Sequence, residues 1–199
     1  MEVQEALSQI AEIHRHMART ECYRGYRPVT MAITASVAVV GGLVQPYYMQ
    51  GRAPVDFARF WLILAAFNLV LVSGEICVDY VLRLSRQEQR LAWRSVAQFL
   101  PSLAAGAVCT LALGRSPETV SLLPGIWTIL FSMGIFASRP YLPYGVGWIG
   151  LFYLLVGTGL LALAPWGLSE APWGMSGAFG IGQLLMAVVL NMNLERPAP

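Results

Sequence analysis

Three polar side chains interrupt a run of apolar sequence at helical spacing. Asn68, Glu75 and Asp79 stand at i, i+7 and i+11, and that interval places all three on one face of an α-helix. A carboxylate embedded among Val, Leu and Ile has to face a bundle interior, where it pairs with a cation or exchanges a proton. The chemistry open to such a set is ion or proton coupling in a small transporter. The alternative is structural: the same carboxylates form ion pairs with arginines such as Arg94 or Arg139 and fix how helices pack.

Positioning these groups takes a helix in a membrane, and the composition demands one. Of 199 residues, 56% are apolar and 12% charged, with a mean hydropathy of +0.58. Water-soluble domains carry roughly 25% charged residues, so a soluble globule of this size would lack the surface it needs. Disorder is excluded by the same numbers, because it requires low hydrophobicity and high net charge. Stretches free of Asp, Glu and Arg run over 28–51, 60–74, 95–114, 119–138, 140–169 and 171–194. Five of these meet the roughly 20-residue length of a crossing. The second reaches it only by extending from about Phe57 to Leu82, which carries Glu75 and Asp79 into the helix. The fold expected is all-α: six transmembrane helices over 28–194, with residues 1–27 before them and a short tail at 195–199.

All 13 basic residues are arginine. Ten of them (Arg15, Arg19, Arg24, Arg27, Arg83, Arg86, Arg90, Arg94, Arg139, Arg196) fall on one set of alternate segments, against three (Arg52, Arg59, Arg115) on the other. The positive-inside rule then places both termini in the cytoplasm. The acidic and basic residues among the first 27 do not fit a secretory leader, so the first span is expected to be retained. Before it, Val3, Leu7, Ile10, Ile13 and Met17 recur at helical spacing and predict an amphipathic cytoplasmic helix that lies on the inner leaflet or docks a soluble partner. Arg86, Arg90 and Arg94 repeat every fourth residue in the second loop, a stripe suited to anionic lipid headgroups or to a soluble regulator.

Other chemistry lacks its parts. No G-x-S-x-G, H-E-x-x-H or phosphate-binding glycine loop occurs, so no catalytic residue is assigned and an enzyme is not expected. Cys22, Cys77 and Cys109 have no ligand spacing, and both histidines, His14 and His16, precede the spans. A bis-histidine haem in the membrane is thereby excluded, and no metal or other cofactor is expected. The net charge of +2 is too small to point to nucleic acid. Gly174, Ala178 and Gly182, with Ala38 and Gly42 in the first span, form small-residue stripes that let backbones approach within the bundle or between protomers. Pro101 and the Pro124-Gly125 pair are expected to interrupt the third and fourth spans.

Three segments follow one another in an order that resembles a known family: Ala11, Glu12, Ile13, Met17 and Arg19; then Leu100, Pro101, Leu103, Ala104 and Gly106; then Leu122, Leu123, Pro124, Gly125 and Trp127. The pattern is similar to small six-helix bacterial inner-membrane proteins often encoded beside a winged-helix transcriptional regulator. The resemblance implies a multi-pass inner-membrane location and a regulatory association. It brings no catalytic residues, and Glu75 and Asp79 match no motif of that family. The reading that combines these features is a non-enzymatic membrane component. It would act as scaffold, accessory subunit or regulatory partner in a homo-oligomer or with other membrane subunits, and the rival is an ion-coupled permease using Glu75 and Asp79.

Overall fold

The computed structural model describes residues 27–82 and 84–194, all helix, turn and loop with no strand among them. Six long helices follow one another: α1 (Pro28–Tyr48), α2 (Val55–Leu82), α3 (Arg86–Leu113), α4 (Leu123–Ser138), α5 (Val146–Leu163) and α6 (Pro172–Leu194). A one-turn helix, Pro117–Val120, precedes α4, and 3-10 turns flank α5. The expected amphipathic helix, with Leu7, Ile10 and Met17, lies outside the described residues.

Five helices, all but α4, are long and apolar enough to cross a membrane. The fourth differs from expectation because the charge-free run 119–138 is not one helix. The chain turns at Ser121 and Leu122, and α4 keeps 16 residues, about 24 Å at 1.5 Å per residue against a hydrocarbon core of about 30 Å. Pro124 falls in the first turn of α4, where its missing N–H costs nothing, so it starts a helix instead of breaking one. Pro101 does sit inside α3, which continues through it. Gln45-Pro46-Tyr47-Tyr48 forms the last turn of α1.

Helices α1 and α2 run in opposite directions, as do α1 and α6. At one end Met31 of α1 packs with Ala187 and Leu190 of α6 and with Val72 of α2, and Asn193 donates to the Tyr144 carbonyl at 3.3 Å. At the other end Phe57, Phe60 and Trp61 of α2 pack on Met175 of α6 beside Tyr48 of α1. The start of α1 and the end of α6 therefore share one end of the bundle. The α1–α6 contact is built on small residues: Thr34, Ala35, Ala38 and Gly42 are buried along α1, and a Cβ on Gly42 would collide with the Ser176 side chain, whereas Gly41 faces Trp61 and Leu64 of α2.

The short α4 is central, and its polar groups bind its neighbours. Ser132 donates to the Gly150 carbonyl of α5 at 2.6 Å, and Ser138 donates to the Ser95 carbonyl of α3 at 3.0 Å. Such interhelical bonds in a membrane contribute roughly 0.6–1.7 kcal/mol each. By contrast α2 and α3 are peripheral: 6% and 0% of their most apolar windows are buried, against 33–44% for α1, α5 and α6.

Candidate functional site

The antiparallel pairing of α1 and α2 decides the setting of the acidic pair. Arg27, the residue capping α1, is carried to the last turns of α2. Its Nη2 donates to Asp79 Oδ1 at 2.9 Å, and its Nε lies 3.5 Å from Glu75 Oε1. One planar guanidinium thus spans both carboxylates, whose separation of four residues puts them one turn apart on the same face. The Glu75 and Asp79 side chains are 12% and 7% exposed, while Arg27, at 46%, faces the outside of the clasp.

The structure therefore brings two of the three sequence-selected groups together and leaves the third apart. Asn68, seven residues before Glu75, lies about 10 Å further along the helix axis. Its Oδ1 is buried without a hydrogen-bond partner, as is Glu75 Oε2, among the described residues. The expected cations are elsewhere: Arg94 lines a cleft on α3, and Arg139 lies over Gly147 at the start of α5. Arg27 takes their place because α1 and α2 pack side by side, a relation invisible in a residue 48 positions upstream of Glu75.

That cleft, about 270 Å³ in volume, is lined by Tyr80 at the end of α2 and by Arg86, Gln89, Arg90, Trp93 and Arg94 from the first turns of α3. Ser85 and Glu88 close a capping box, each side chain bonding the other's backbone N–H, and fix where α3 begins. Gln89 Nε2 donates to the Tyr80 carbonyl at 2.8 Å and to the Leu84 carbonyl at 3.3 Å, tying the two helices together. Leu91 and Ala92 bury the opposite face of α3 against Leu84 and Tyr141, so the arginine stripe is left outward. Glu75 and Asp79 do not line the cleft.

The small-residue stripe of α6 is directed into the bundle. A Cβ on Gly174 would meet the Ser169 carbonyl, and one on Gly182 would meet the Tyr153 ring, while Ala178 is 1% exposed. Tyr153 is the hub of a ring cluster, with Phe131 at 4.9 Å, Phe179 at 5.5 Å and Phe152 at 5.6 Å between centroids.

Gln45 is a polar group that spacing arguments passed over. It is buried, donates through Nε2 to the Glu170 carbonyl at 2.6 Å, and accepts from Trp61 Nε1 at 3.0 Å. One amide thereby joins α1, α2 and the α5–α6 connection, and the signal that marks it is a Gln inside the apolar run 28–51, a turn ahead of the run's other Gln, Gln50. Glu170 itself lies outside the spans, and burial pushes its carboxyl above the ordinary carboxylate range.

Compared with protein-family models, curated proteins and solved structures, the chain shows no significant match.

Proposed function

We propose that this chain is a non-enzymatic integral membrane component, a scaffold, accessory subunit or regulatory partner that joins copies of itself or other membrane subunits. In this reading it crosses the bacterial inner membrane six times, α4 included, with both termini in the cytoplasm. The observation that carries it is the Arg27 clasp. A coupling carboxylate needs an aqueous route and freedom to release its cation partner, whereas Glu75 and Asp79 share one guanidinium at 3.5 and 2.9 Å. The uncovered faces of α2 and α3 support the assembly part. On α2 that face includes Ser73, Gly74 and Cys77, all exposed, small groups that pack better against another helix than against acyl chains.

The test compares the wild type with Glu75→Gln, which leaves Asp79 to hold Arg27. Both proteins are expected to be extracted in mild detergent as one assembly of the same mass, larger than the single chain. Proton uptake into proteoliposomes should stay at the level of protein-free vesicles for both. Uptake by the wild type that Glu75→Gln abolishes while the assembly persists would establish the permease reading in its place.

A further inference from the structure

We propose that the cleft between the end of α2 and the start of α3 binds the phosphate of an anionic phospholipid. Arg86, Arg90 and Arg94 advance about 40° and 6 Å per step, so three guanidinium groups rise along one edge of the cleft over about 12 Å. Among the described residues none of the three forms an ion pair; the ion pairs there join Arg27 to Glu75 and Asp79, and Arg59 to Asp56. The acid nearest in sequence, Glu88, is occupied by the Ser85 hydroxyl at 2.7 Å and the Ser85 N–H at 2.8 Å. Three cations that form no ion pair among the described residues, gathered around about 270 Å³, form a receptor for a phosphodiester.

The surroundings select a lipid over a free ion. Tyr80 and Trp93, 40% and 66% exposed, frame the cleft with the amphipathic rings that settle at headgroup depth. Beyond them the apolar surface continues without a protein cover: Val78, Val81 and Leu82 on α2 and Leu100, seven residues after Trp93 on α3, are all at least half exposed. A phosphate seated among the arginines would therefore let its acyl chains lie along α2 and α3. The Gln89 bonds to the Tyr80 and Leu84 carbonyls hold the two walls in register whether or not lipid is present.

The experiment follows the unfolding temperature of the full chain in neutral detergent micelles as phosphatidylglycerol, phosphatidylcholine or inorganic phosphate is added. Phosphatidylglycerol is expected to raise it in a saturable way, and the other two are not. In R86Q/R90Q/R94Q the half-saturating phosphatidylglycerol concentration should rise about a hundredfold, with the lipid-free unfolding temperature unchanged because these side chains support no packing. Should the triple variant fail to fold, R90Q alone should give about a fivefold rise. An equal gain in wild type and variant, or a gain reproduced by phosphatidylcholine or by phosphate alone, would overturn the proposal.

Discussion

Replacing Arg27 by Met is expected to cost about 3 kcal/mol of stability, because it removes from two largely buried carboxylates the cation that they share. The value belongs at the lower end for broken buried pairs since Arg27 is itself half exposed. Met31, Val72 and Leu190 pack together within about a turn of these residues along α1, α2 and the end of α6, which limits access of water to the carboxylates. The triple variant R27M/E75Q/D79N should recover most of the loss, ending within about 1 kcal/mol of wild type, since a neutral, shape-matched replacement of the ion pairs that Arg27 makes is nearly free. Titration of unfolding with SDS in mixed micelles reads both. A loss below about 0.5 kcal/mol for R27M would mean that the clasp contributes little.

The second large effect concerns the crossing of α4 and α5. A Cβ added to Gly157 would lie 2.9 Å from the Ile129 nitrogen and 3.0 Å from the Gly125 carbonyl oxygen, and one added to Gly125 would lie 2.9 Å from the Gly157 oxygen. These are backbone atoms and cannot step aside, so the helices must separate. Gly157→Ala is expected to cost about 1–3 kcal/mol, and Gly157→Val to prevent recovery of a monodisperse protein. Two residues along the same helix, Gly159 has nothing within 4 Å. Gly159→Ala should be neutral or stabilise by up to about 1 kcal/mol through helix propensity. Size-exclusion profiles and SDS titrations of the two variants side by side check the contrast.

The clasp shows how far spacing alone reaches. The face shared by Glu75 and Asp79 is a local property of one helix and was legible, as was the extension of that helix to Leu82. The identity of the cation was not, because it depends on which helix ends meet in space. Absence of charge located the apolar segments but could not see uncharged turns. Within 140–169 the helix begins only at Val146, after Gly145 at φ 102°, and ends before Gly167 at φ 68°, left-handed conformations that favour glycine. Small residues every fourth position in α6 were equally visible, yet their direction became plain only once Tyr153 was found against Gly182. Gln45 escaped because its partners, Trp61 and Glu170, are 16 and 125 residues away.

The placement of every group at the Arg-rich end depends on α4 passing from one surface to the other despite its 16 residues. Single cysteines at Glu118, before α4, and at Tyr144, after it, report this directly in a background lacking Cys22, Cys77 and Cys109. Both sites are exposed. With a membrane-impermeant maleimide on intact cells, Glu118→Cys is expected to label at once and Tyr144→Cys only after the membrane is permeabilised. Labelling of both positions from the same side would contradict six crossings.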